Sequence, residues 1–191
     1  MFVAAVVFLL AGCYSENKIQ SQGAKEARDT QHEMFLELES GEIMSYSKLK
    51  IKSPPLQYQY LEGDGKKINT PAKEIRAFQT ENYYAIKVYN QAELMIGKLP
   101  FSELYASRIV DGKIELFMIS EKKKDAYGPN ESGYVKNYFI RKGKKTLLIP
   151  ATAKNLKNMI SDNKSLYEDF DNIYKRTYPF KSIMKVLEEY N

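Results

Sequence analysis

The sequence predicts an α+β protein: an antiparallel β body over about residues 35–149, barrel-like or a sandwich, followed by two to three C-terminal helices. Three observations predict it. Apolar residues alternate with period two in short runs broken by Gly, Asn and Asp. An Asp111-Gly112 pair joins two β-rich runs, the arrangement a hairpin uses. After Pro150 the apolar spacing changes from two to nearly four, the period of a helix with one buried stripe.

Taken in order, Phe35 to Leu38 is a short strand and Ser40-Gly41 a turn. Ile43 to Ile51 reads as one longer strand whose apolar parity shifts between Tyr46 and Leu49, as a bulge would shift it. Pro54-Pro55 ends that strand. Leu56, Tyr58 and Tyr60 then fall on one face of the next, and Gly63-Asp64-Gly65 supplies residues tolerant of positive φ for a hairpin. Asp64 therefore reads as a turn residue. A calcium loop needs acidic or amide side chains at alternate positions and a distal Glu, and Asp64 has no such company. Ile75 to Phe78 and Tyr83 to Val88 are further strands around the turn Thr80-Glu81-Asn82.

The strongest β signal is Leu104 to Ile119, a hairpin turning at Asp111-Gly112 through a type I′ turn. A β-branched residue at 112 would be strained in such a turn. The second arm has Ile114, Leu116 and Met118 on one face and Phe117 and Ile119 on the other, so it is covered on both sides and central to its sheet. Ser120 to Gly133 is polar and reads as a long mobile loop, and Tyr134 to Arg141 and Thr146 to Ile149 are the last strands, turning at Gly143. In the helical end, Leu156, Met159 and Ile160 share one face. Ser165-Leu166-Tyr167-Glu168 has the spacing of a capping box, opening a helix with Leu166, Phe170 and Ile173 in register. Glu168, Asp169 and Asp171 then fall in its first turn and a half, where negative charge suits the helix dipole. A third helix follows Pro179 and buries Phe180, Ile183, Met184 and Leu187. These stripes read as core against the sheet.

The N-terminal stretch carries an address. Nine apolar residues, Phe2 to Leu10, lead into Ala11-Gly12-Cys13. The run is too short to cross a bilayer, which takes about 20 residues, and has the length of a secretory h-region. Leu10-Ala11-Gly12-Cys13 resembles the lipobox of bacterial lipoproteins, which implies removal of residues 1–12 and acylation of Cys13. The single cysteine has no disulfide to form, and lipidation accounts for it. Residues 13–33 then read as a lipidated cysteine and a flexible tether. Its length gives a root-mean-square span of about 25 Å. Residues 34–191 form the single globular domain, the β body 34–149 and the helical end 150–191. His32, alone and near the tether, is far from a metal-ligand set.

Composition narrows the function. The net charge of +5 comes from basic residues scattered among 24 acidic ones, with only Lys122 to Lys124 and the group around Lys142 to Lys145 clustered. A nucleic-acid module gathers its basic residues on one face, so no nucleic-acid partner is expected. The body has neither a G-x-S-x-G elbow nor a phosphate-binding glycine loop nor metal-ligand spacing. No catalytic residue, metal or cofactor is assigned, and the ligand-binding residues stay unknown. Glu74 to Phe78 followed by Tyr83-Tyr84, Tyr105 with Ile109 to Phe117, Tyr138 to Lys142, and the ending Glu188-Glu189-Tyr190-Asn191 together resemble a family of small uncharacterised exported proteins and lipoproteins of Bacteroidetes. That resemblance implies a β-rich body with a helical C-terminal end and no established activity. Asn90 to Phe101 departs from it. The residues after Cys13 lack an Asp at the second position, which resembles the pattern of outer-membrane rather than inner-membrane lipoproteins. The reading favoured is a non-catalytic binding or structural module for an envelope protein or glycan, with 15 tyrosines available for interfaces. The alternative is an envelope hydrolase with a pair of carboxylates, whose two acids can be distant in sequence.

Overall fold

The architecture follows from two long hairpins and the helices that cover one side of them. In the computed structural model, residues 23–26, 28, 33–52, 60–88, 104–124, 132–143, 147–177 and 179–191 are described. The strands are β1 (Met34–Leu38), β2 (Ile43–Tyr46), β3 (Leu49–Lys52), β4 (Tyr60–Gly63), β5 (Lys66–Lys67), β6 (Ile75–Gln79), β7 (Tyr84–Val88), β8 (Leu104–Val110), β9 (Ile114–Lys124), β10 (Ser132–Lys142) and β11 (Ile149–Pro150). The helices are α1 (Ala153–Met159), α2 (Lys164–Ile173) and α3 (Pro179–Tyr190). An eight-stranded antiparallel sheet has the order β11-β10-β9-β8-β7-β6-β1-β2, and a smaller sheet has the order β3-β4-β5. The large sheet is open, with β11 and β2 at its edges, so of the expected architectures it is not the barrel.

Each face of the large sheet is apolar for a reason visible in the register. Leu36, Phe78, Ala85, Ser107, Met118 and Tyr138 form one cross-strand row. At one end of this face Leu36, Ile75 and Phe78 pack with Leu49 and Leu61 of the small sheet. At the other end Ile109, Ile114, Leu116 and Ile140 pack with Leu156, Ile160, Leu166, Phe170, Ile183 and Leu187 of the helical segment. The opposite face carries Phe35, Ala77, Tyr84, Ile86, Phe117 and Phe139, all buried. Over Ile114 to Ile119 β9 is therefore an interior strand covered on both sides, as its double apolar pattern requires.

Several local expectations are corrected. Ile43 to Ile51 is not one bulged strand: it breaks at Ser47-Lys48, and β2 joins the large sheet while β3 joins the small one. The parity shift marks that corner, where a bend lets the chain change sheets. Asp64 Oδ1 accepts from the Lys48 N–H at 2.8 Å and the Ser47 hydroxyl at 3.0 Å, which fixes the bend. Asp64 and Gly65 both have positive φ, 49° and 80°, and make the expected two-residue hairpin turn between β4 and β5. Ser120 to Lys124 and Ser132-Gly133 are not loop. They continue β9 and β10, and register runs from Lys142↔Ile114 to Ser132↔Lys124. The expectations for Leu56 to Gln59, for Asn90 to Phe101 and for the tip of that hairpin lie outside the described residues.

The turn at Asp111-Gly112 is also corrected, since neither residue has positive φ. A side chain there would have to displace the Asn191 amide. The Asn191 side chain lies where a Cβ on Gly112 would stand. α2 is likewise opened by Asn163, whose Oδ1 accepts from the Leu166 N–H at 3.2 Å, and not by Ser165. The helix starts two residues earlier than a Ser165 cap would place it, so Glu168, Asp169 and Asp171 lie beyond its first turn. Asp171 instead pairs with Lys157 of α1 at 2.8 Å. Finally, residues 23–26, expected within the tether, form a helical turn with Ala24 against the helix-side core.

Candidate functional site

Among the described residues, the charged groups that the fold removes from water include a cluster built into the large sheet. Glu115 lies between two apolar neighbours on β9, and strand alternation turns it to the face opposite Ile114 and Leu116. It is 3% exposed, and both carboxylate oxygens are engaged. Arg141, its direct cross-strand partner on β10, donates from Nε to Oε2 at 2.6 Å. Arg108 on β8 donates from Nη1 to Oε1 at 2.9 Å. One guanidinium thus comes from each neighbouring strand, and both arginines are themselves buried.

A bulge in β8 makes this cluster possible. Arg108 pairs with Phe117 but Val110 pairs with Leu116, so two residues of β8 stand against one of β9. In a regular strand residues three apart face opposite ways. The extra residue brings Arg108 and Asp111 to the same side, where they meet at 3.2 Å. Aromatic rings close the cluster: Arg108 stands 4.6 Å from the Tyr84 ring centroid and Arg141 5.1 Å from that of Phe117. Burial opposes the charge on Arg141, but its hydrogen bond to Glu115 and the charge there outweigh this and hold its pKa above the usual value. Burial also pushes the Tyr84 phenol up, with Arg141 and Arg108 opposing and Glu37 and Glu115 adding to it.

The helical end is bonded to the same strands. Asn191 acts like a short piece of neighbouring strand: Oδ1 accepts from the Ile114 N–H at 2.9 Å, and Nδ2 donates to the Ile114 carbonyl at 3.1 Å. The Tyr190 hydroxyl donates to Asp162 at 2.8 Å, and Lys142 donates to Asp162 at 2.9 Å and to the Met159 carbonyl at 2.7 Å. These bonds from Lys142 and Tyr190 hold the Asp162 carboxyl below its usual range. Burial alone would lower Lys142, and the bonds to Tyr190 and Asp162 reverse that and raise it. On the sheet's other end Lys87 is buried, donating to Glu39 at 2.8 Å and to the Lys73 carbonyl at 2.7 Å.

Chemically, Glu115 is committed to two guanidinium donors and serves as a fixed countercharge. Among the described residues no three His, Cys, Asp or Glu side chains converge as metal ligands, and no helix is long and apolar enough to cross a membrane. Cys13 and the lipobox residues Leu10, Ala11 and Gly12, like His32, lie outside the described residues. The Arg108–Glu115–Arg141 cluster was not anticipated from sequence. Its only signal was a charged residue within an apolar run predicted to be covered on both sides, which demands a buried partner. Tyr190 and Asn191, noticed only as part of an ending, are the residues that join α3 to the sheet. Comparison of the chain with protein-family models, with curated proteins and with solved structures finds no match.

Proposed function

We propose that this chain is a lipoprotein anchored in the bacterial outer membrane through Cys13, and that its body holds an envelope protein or glycan without catalysing a reaction. The observation that carries this reading is Leu10-Ala11-Gly12-Cys13 placed directly behind nine apolar residues. Between Cys13 and the helical turn at residues 23–26 the sequence is mostly polar, the composition of a short tether. Anchoring confines the body to one surface and raises its effective concentration for anything else held there, so a weak intrinsic affinity suffices. The resemblance to Bacteroidetes exported proteins agrees with the same address.

The test has two arms. In a bacterial host the protein should incorporate labelled fatty acid and lack residues 1–12, and Cys13→Ser should abolish the label because serine cannot form the thioether. Firm membrane retention requires more than one acyl chain, since a single chain binds only marginally. Crosslinking in intact cells should then recover a specific envelope partner with the anchored form and much less with Cys13→Ser. The reading fails if fatty acid still labels the Cys13→Ser protein. It also fails if the purified protein hydrolyses an envelope glycan or peptide and loses that activity when one particular Asp or Glu is replaced.

A further inference from the structure

Among the described residues four strands end the two sheets, β11, β2, β3 and β5, and all but β2 carry a feature that blocks pairing with another strand. At one edge of the large sheet β11 is two residues long and contains Pro150, which has no N–H to donate. In the small sheet β5 is the exposed pair Lys66-Lys67, and β3 carries the exposed Lys50. The remaining edge, β2, reads Ile43-Met44-Ser45-Tyr46 and has no charge, no proline and no bulge. Ile43 is 46% exposed there.

The hairpin that makes β2 also fixes which of its backbone groups face outward. The Leu38 N–H donates to the Glu42 carbonyl at 2.9 Å, so Leu38 and Glu42 form a hydrogen-bonded pair. Antiparallel pairs alternate, so Met44 and Tyr46 turn their backbone groups to β1, while Ile43 and Ser45 turn theirs away. Among the described residues none of those outward groups has a partner.

We propose that β2 pairs with β2 of a second copy of this chain about a two-fold axis perpendicular to the sheet, centred on Met44. In this register Ile43 of each copy lies opposite Ser45 of the other, and all four outward N–H and C=O groups of each strand are used, giving four hydrogen bonds. A two-fold axis makes the pairing antiparallel, the same sense as the rest of the sheet. Exposed Ile43 becomes covered, and no like charges meet along the strand. The flanks carry opposite charges: exposed Glu42 precedes β2 and lies opposite Tyr46 of the other copy, and exposed Lys48 stands two residues beyond that Tyr46, at the corner where the chain leaves the sheet. The inference does not depend on the anchor at Cys13.

The register is testable with a single thiol. In the full chain carrying Cys13→Ser, Met44→Cys places the two sulfurs across a non-hydrogen-bonded pair, with Cα atoms about 4.5 Å apart. That lies inside the range a disulfide spans. Ser45→Cys instead puts the two Cα atoms about 8 Å apart, beyond that range. Mild oxidation should convert most of the Met44→Cys chain to a reducible dimer and little of the Ser45→Cys chain. Ser45→Pro removes an N–H that β1 does not use, so circular dichroism should be unchanged while sedimentation shows a shift from dimer to monomer. Sedimentation as a monomer at every concentration overturns the proposal. So do equal crosslinking at 44 and 45, or a folded Ser45→Pro chain that still dimerises. Should Ser45→Pro fail to fold, the 44-against-45 comparison decides alone.

Discussion

Glu115→Gln removes the negative charge from the centre of a buried cluster while keeping the shape of the side chain. Two charge-assisted hydrogen bonds, at 2.6 and 2.9 Å, lose their acceptor charge, and two buried guanidiniums are left facing each other across an amide. Charged bonds of this kind contribute about 1.5–3 kcal/mol each, and breaking a buried ion pair from one side costs about 3–5 kcal/mol. Gln keeps one oxygen that can accept, and Arg108 keeps Asp111, so the expected loss is near the lower bound, about 3 kcal/mol. For a chain of 191 residues that is a fall in melting temperature of about 6–12 °C. The chain has no Trp, so far-UV circular dichroism during thermal and urea unfolding is the suitable probe. The companion chain Arg108→Met, Glu115→Leu, Arg141→Met should recover most of the loss, because well-packed apolar side chains replace a buried ion cluster at little cost. A Glu115→Gln chain within about 0.5 kcal/mol of the parent would refute the reasoning, since changes that small are typical of exposed sites.

Gly112→Ala should cost on the order of 1–3 kcal/mol through collision with the Asn191 amide, and less in an Asn191→Ala background, whereas a backbone-strain origin would give the same cost in both. Asn163→Ala should destabilise α2 by about 1 kcal/mol while Ser165→Ala changes little, as read from urea midpoints. Asp162 has a lowered folded-state pKa, so its contribution is full above its unfolded value of about 3.9 and is lost as pH falls through the folded value. Asp162→Asn should therefore be less stable than the parent at neutral pH, with the two curves converging in acid. Parallel curves at all pH values would show that the bonds from Lys142 and Tyr190 contribute nothing.

By itself the sequence determined the local alphabet of this protein. β-rich runs marked β1, β6, β7, β8 and β9, and period-four runs marked all three helices and most of their buried residues, because these patterns are properties of a single segment facing a single environment. Met159 and Met184 are only partly buried, however, and Val186 was missed. It also determined the turn at Asp64-Gly65, where two consecutive residues tolerate positive φ. The tertiary structure decided whatever depends on two segments meeting. The same Asp-Gly signal at 111–112 gave no such turn: neither residue has positive φ, and the space beside Gly112 is filled by Asn191, 79 positions further along the chain. A parity shift at Ser47-Lys48 could be a bulge or a corner, and only the presence of a second sheet made it a corner. Ser120 to Lys124 looked like loop because polar residues report solvent and not pairing, yet each backbone position there lies opposite one in β10. Glu115 was visible as a charge in an apolar run, but its partners sit on strands 7 residues before it and 26 after it. Those separations carry no pattern in the sequence, and the bulge that aligns Arg108 exists only once β8 and β9 are paired.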